Sequence, residues 1–251
     1  MKKVGLIIFI VLIIILTLFI GYYIYEINTS KVQNKVISEK INYLDIDVEV
    51  VDLIVRKGEE FKIETDNKYI RIKEYNSKLS IEEREHFFKT NHNNLIIYIP
   101  DNYLFENIEL DAGVGKVDIS SFISNKIDFD LGVGDVVINN LIVNEYIEIE
   151  SGVGKLNIFS GTLNNLDLDS GVGKVNISSN LLGNSKIDAG VGSINLDILN
   201  TIENYKFIIT KGIGNTKLNG KSINTNIYGN GINTVTISGG LGTIDINTTN
   251  N

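Results

Sequence analysis

The feature that most constrains this chain is a tripeptide that returns at a fixed interval. Gly-Val-Gly begins at Gly113, Gly132, Gly152, Gly171 and Gly190, Gly-Ile-Gly follows at Gly212, and a degenerate Gly231-Ile232-Asn233 comes after it. The steps are 19, 20, 19, 19, 22 and 19 residues. A period this regular marks stacked units that share one core, since no single repeat can bury its own apolar face.

The columns around the glycines say what each unit is. Four residues after the first glycine stand Val117, Val136, Leu156, Val175, Ile194, Thr216 and Val235. Six after stand Ile119, Ile138, Ile158, Ile177, Leu196, Leu218 and Ile237, and three before stand Leu110, Phe129, Ile149, Leu168, Ile187, Ile209 and Tyr228. Polar residues fill most positions between. Alternation at period two is a strand with one face on a core. Each repeat therefore reads as strand, Gly-x-Gly corner, strand, then a polar corner such as Ser120-Ser121 or Asn139-Asn140. The structural corner glycines are Gly113 and Gly115, Gly132 and Gly134, Gly152 and Gly154, Gly171 and Gly173, Gly190 and Gly192, and Gly212 and Gly214. The expected fold is all-β: a β-solenoid or β-roll of about seven turns of 19–20 residues over 111–247, preceded by one N-terminal transmembrane helix. Gly240-Leu241-Gly242, nine residues after Gly231, reads as a half turn capping the end, with 248–251 as a tail. Asparagine, 32 in all and frequent at corners, either forms amide ladders along the stack or tolerates left-handed corner backbone.

The rest of the chain differs. Residues 41–110 carry strand-like runs without the repeat and read as a β-rich N-terminal part or cap. Residues 28–40 read as a polar stalk. Lys2 and Lys3 precede 22 uncharged residues, Val4 to Tyr25, enough to span a bilayer as a helix. No small-residue cleavage site follows, so 1–27 reads as an uncleaved signal anchor, against a cleaved signal peptide or a buried core helix. Lys31, Lys35 and Lys40 on the far side leave the positive-inside rule undecided. The tight Lys-Lys start favours a single-pass protein in the cell membrane, its C-terminal domain extracytoplasmic.

Composition removes several chemistries. With no cysteine there is no disulfide, thiolate nucleophile or cysteine zinc site. His86 and His92 are the only histidines, and a net charge of −8 argues against nucleic acid.

The opening Ile-Asp-Val-x-Val-x-x-x-Ile-x-Arg-x-Gly at 46–58, followed by Gly-x-Gly-x-Val-x-Ile turns, resembles the bacterial putative-adhesin domain. That family, of unknown function, occurs in membrane-anchored envelope proteins. The resemblance covers about residues 42–247. It implies a β-solenoid at the cell surface or in the envelope, and for some members an association with envelope-stress response systems. It supplies no catalytic residues to carry over.

Two residues before the first glycine runs an acidic column: Asp111, Asp130, Glu150, Asp169 and Asp188, broken next by Thr210. Stacked like charges need compensation, either from a cation such as calcium or from Lys116, Lys155 and Lys174 just past the corner. The calcium nonapeptide of β-rolls does not fit, because Val117, Val136, Leu156, Val175 or Ile194 stands where its acid belongs. A polysaccharide-acting enzyme would need one distinct carboxylate pair, whereas equivalent acids recur on every turn. All three arginines, Arg56, Arg71 and Arg84, precede the repeats. His86 and His92 read as a solvated loop, and Phe87 and Phe88 as a core plug or an exposed contact. Outward Asp118, Asn157, Asn176 and Asn195 suit an extended ligand. The expectation is a non-enzymatic, adhesin-like binding or scaffold protein of the envelope, without catalytic residues or a required cofactor. Its partners are the membrane through residues 4–25 and either cell-wall glycan or envelope membrane proteins; the alternative role is an accessory component of an envelope-stress signalling complex.

Overall fold

Apolar alternation in successive repeats puts one row of side chains inside and leaves the backbone free to pair with the turns above and below. A computed structural model describes residues 2–29, 32–84, 93–223 and 226–249, with side chains of the first helix described for 9–22. His86, Phe87, Phe88 and His92 lie outside the described residues.

Helix α1 (Lys2–Thr29) is followed by β1 (Gln33–Val36), β2 (Tyr43–Gly58), β3 (Lys62–Thr65), β4 (Ile70–Tyr75), β5 (Lys78–Glu83) and β6 (Asn93–Pro100). The repeats supply β7 (Leu104–Ile119), β8 (Phe122–Ile138), β9 (Leu141–Ile158), β10 (Gly161–Asn164), β11 (Leu166–Leu182) and β12 (Asn184–Thr201). The C-terminal part holds β13 (Tyr205–Thr210), β14 (Ile213–Leu218), β15 (Lys221–Ser222), β16 (Ile227–Tyr228), β17 (Asn233–Ser238) and β18 (Leu241–Thr249).

Parallel pairing stacks these strands into nine levels: β5/β6, β2, β7, β8, β9, β11, β12, β17/β18 and β13/β14. Each long strand bends through its corner and pairs on both sides of it, so Ile127↔Ile147 and Val136↔Leu156 belong to the same strand pair. In the middle of the stack a third side closes the turn, where β10 lies between β9 and the end of β11. Inward columns such as Leu110, Phe129, Ile149, Leu168 and Ile187 form one continuous core. Toward the N-terminal end, edge-on ring contacts of 5.5–6.4 Å join Tyr103 to Phe61, Phe61 to Phe105 and Phe105 to Phe122.

Glycine holds the corner for a steric reason. At Gly154 φ is +144°, and a Cβ there would strike the carbonyl oxygen of Gly134 one level below. The next level approaches too closely for any side chain.

Chain order and stacking order part at both ends. The level formed by β5 and β6 lies outside β2, although it follows β2 in sequence. At the other end, β17 and β18 insert between β12 and the outermost β13/β14. This corrects two expectations. Gly240-Leu241-Gly242 is no capping half turn: Leu241 pairs with Val191 on one side and Ile213 on the other, making it a full corner. Gly231 is no corner, since a Cβ there would meet Asn204 and Tyr205; Val235 accordingly pairs with Ser185 and Phe207 rather than joining the Val117 column. The place in that column between Ile194 and Thr216 belongs to Ile244.

Short antiparallel strands close the ends. β4 covers β5, and β3 covers β6 with β1 outside it. At the far end β16 covers part of β13, and β15 part of β14. Such hairpins take up backbone groups that would otherwise template another chain. The segment expected as a stalk thus contributes β1 to the sheet.

Helix α1 runs 28 residues, about 42 Å at the helical rise. Its large apolar side chains from Phe9 to Tyr22 are all exposed. Among the described residues no helix is long and apolar enough to cross a membrane. The expected span over 4–25 extends past the described side chains at both ends.

Candidate functional site

Stacking in register converts every outward position of the repeat into a ladder, and three ladders meet around the Gly-Val-Gly corner. The first is acidic. Asp111, Asp130, Glu150, Asp169 and Asp188 are brought together in one column that begins two levels earlier at Glu82 and continues through Asp47. It ends at Ser238, which the inserted β17 places between Asp188 and Thr210. A second acidic column, unrecognised in the sequence, runs beside it: Asp45, Glu109, Asp128, Glu148 and Asp167, followed by Lys186. Its signal was an acid four residues before each first glycine, within the same alternation.

Compensation on this face is local. Lys78 pairs with Asp45 at 2.8 Å, Lys186 pairs with Asp188 and lies 3.7 Å from Asp167, and Asn107 donates to Glu109 at 2.8 Å. Lys116, Lys155 and Lys174, expected as partners, make none of its ion pairs among the described residues, because they stand on the opposite side of the corner. Burial raises the pKa of Asp111, helped by Asp130 and Asp47. Burial likewise raises Asp128, with Glu148, Glu109 and Asp130 adding to it, and Asp47, with Asp45, Glu82 and Glu83 adding. Among the described residues no group of three or more histidine or acidic side chains is arranged to hold a metal ion.

The second ladder is apolar and was not singled out in the sequence. The middle residue of each corner points outward, so Val114, Val133, Val153, Val172, Val191, Leu241 and Ile213 pair in an unbroken row. The first six are each 47–51% exposed and Ile213 is 76% exposed.

The third ladder lies beyond it. Lys116, Asp135, Lys155 and Lys174 follow each other one position past the corner. Next outward come Asn157, Asn176 and Asn195. The Asn195 amide donates to Asn176 at 2.7 Å, and Asn176 donates to Asn157 at 2.6 Å, an amide ladder. Both expected uses of asparagine occur, for Asn165 and Asn219 take left-handed backbone at φ 51° and 48°. Asp118, at the start of this side, is held in a fork by Arg56 at 2.9 and 2.7 Å. Arg56 also lines an open cleft of about 310 Å³, together with Lys57, Asn102, Ser120 and Asn140.

A family profile described as Toastrack DUF4097 matches residues 41–230. A comparison with curated proteins finds no match. Among solved structures, a putative cell adhesion protein from Clostridium sporogenes is 18% identical, covering 87% of this chain and 99% of that one at a TM-score of 0.34. A putative adhesin from Bacteroides fragilis is 17% identical, covering 87% and 98% at a TM-score of 0.40. Another from Parabacteroides merdae is 16% identical, covering 88% and 96% at a TM-score of 0.32. Likenesses at this level carry no argument about what this chain does.

Proposed function

This chain belongs to the Toastrack DUF4097 family, and we propose that it is a membrane-anchored, non-enzymatic binding or scaffold protein of the bacterial cell envelope. In this reading α1 sits in the bilayer and the solenoid stands on the extracytoplasmic side. The observation that carries it is the surface: the parallel levels from β7 to β12 repeat similar outward groups at about 4.8 Å, which suits an extended partner met along its length. An enzyme would need one carboxylate pair set apart from the rest, and here acids recur at the same two positions from level to level. The uncovered apolar side chains of Phe9 to Tyr22 support the anchor, since a helix apolar all round wants lipid or a core.

Co-sedimentation of the full chain, held in nanodiscs, with isolated cell-wall sacculi tests the reading. Saturable pelleting above that of empty nanodiscs is expected. Calcium dependence would assign a role to the acidic column. Absence of pelleting with and without calcium would overturn wall binding and favour the second reading, an accessory component of an envelope-stress signalling complex. That role predicts that replacing α1 by an unrelated spanning helix abolishes function, whereas a pure tether tolerates the exchange.

A further inference from the structure

We propose that the valine ridge is a self-association surface, on which a second copy of this chain packs side by side with its rod pointing the same way. Inside the ladder, aliphatic residues at Val114, Val133, Val153, Val172, Val191 and Leu241 gain from stacking on each other. That gain accounts for β-branching. It does not account for leaving about half of each side chain in water on six consecutive levels, where threonine would stack equally well. A continuous apolar row about 29 Å long, rimmed by charge, is what an interface leaves exposed in the free chain.

The charges on its two flanks select the occupant and its direction. On one side stand Asp111, Glu150 and Asp169; on the other, on the same three levels, stand Lys116, Lys155 and Lys174. A two-fold axis parallel to the rod lays the acidic flank of one copy against the lysine flank of the other on these three levels. A two-fold axis across the rod would lay acid against acid along the whole row. Only the parallel arrangement is matched, and a self-complementary patch is what a two-fold contact requires. At the β8 level Asp135 would face the partner's Asp130, with lysines one level above and below within reach; at the β12 level Asp188 would face the uncharged Ser193, and the Leu241 level is flanked by uncharged Ser238 and Thr243. The same arrangement brings both chains into the stack from one end, so two anchors could share one membrane. The charge match between the two flanks is independent of the anchor.

The strip between the acidic and lysine columns spans about six residues per level, at the small end of specific interfaces. A weak contact is therefore expected in dilute solution, strengthened where copies are confined together.

The chain lacks cysteine, so single cysteines report the contact cleanly. Val133→Cys, Val153→Cys and Val191→Cys would be introduced one at a time into the full chain in membranes and oxidised. Parallel two-fold packing brings like positions within disulfide range at all three, so each forms a dimer at several times the yield of Thr162→Cys on the third side. An antiparallel contact would link at most one position to itself and would instead join Val133→Cys to Val191→Cys in mixed samples. Reversing the lysines (Lys116→Glu, Lys155→Glu, Lys174→Glu) should lower the Val153→Cys yield at least about fivefold, and adding Asp111→Lys, Glu150→Lys and Asp169→Lys should restore it. Yields no higher than the Thr162→Cys control, or the antiparallel pattern, would overturn the proposal. An unchanged thermal midpoint for each variant excludes misfolding as the cause.

Discussion

Glu83 sits where the second level turns its corner, and its carboxylate accepts backbone donors of β2 there. One oxygen accepts the N–H groups of Glu49 and Val50, both at 2.8 Å, and the other accepts the Asn67 amide at 2.9 Å. Glu83 is 8% exposed, so the carboxylate is a charge kept buried by three donors. Glu83→Ala should destabilise the fold by about 1–3 kcal/mol in denaturant unfolding, because two backbone donors lose their acceptor. Tyr103 plays a similar part, accepting from the Ile41 N–H at 2.6 Å and donating to the Ile41 carbonyl at 2.9 Å. Gly154 is the opposite kind of residue, chosen for what it lacks. Gly154→Ala should cost at least about 1–3 kcal/mol from backbone strain alone, and more from collision with Gly134, in the same unfolding measurement.

The acidic face is the element in which neighbouring levels oppose one another. Asp47, Asp111 and Asp128 have raised pKa values, burial being the first cause and adjacent carboxylates the next. Each therefore holds its proton more readily folded than unfolded. Their contribution to stability is fully present below the ordinary aspartate value and is lost as pH rises through the raised folded values. Asp188 and Glu82 run the other way, lowered first by hydrogen bonds from Lys186 and Lys73. What they contribute is present at neutral pH and lost as pH falls through their folded values, below the ordinary carboxylate range. Replacing Asp47, Asp111 and Asp128 together by asparagine should therefore remove the stability loss that accompanies rising pH through their folded values, read as a change in the pH dependence of the thermal midpoint. Asp130→Asn should raise stability by a few tenths of a kcal/mol, up to about 1; a fall would contradict the opposed-charge account.

The end strands show where the sequence could and could not be read. Corners from Gly113 to Gly192 followed from periodicity alone, because core alternation and corner glycines recur together. Spacing then misled, for 19 residues past Gly212 falls on Gly231, while the true corner is Gly240-Leu241-Gly242-Thr243-Ile244. That segment matches the Gly-x-Gly-x-Val template better than Gly231-Ile232-Asn233 does. Nothing in one dimension says that a later strand will insert beneath an earlier one. The second acidic column and the valine ridge were visible as patterns, but whether an outward residue is exposed, paired or opposed depends on which level lies beside it. Hydrogen exchange should find β17 and β18 amides protected like those of β12; early exchange there would contradict their insertion between β12 and β13/β14.

At the scale of the whole molecule, length is the variable. If binding is spread along repeated ladders, each level adds a similar increment, and stability of such stacks is close to a sum over neighbouring levels. Removing residues 141–160 joins Asn140 to Gly161, whose strand β10 already pairs in register with Leu141–Val143, so one level leaves without a seam. The decisive measurement is the affinity for cell-wall sacculi of the full chain and of this shortened chain, compared in the same pelleting assay. The account predicts a folded protein whose affinity falls by a modest factor, about two- to tenfold. Unchanged affinity, or complete loss with the fold intact, would place binding at one local site and contradict a surface read along its length.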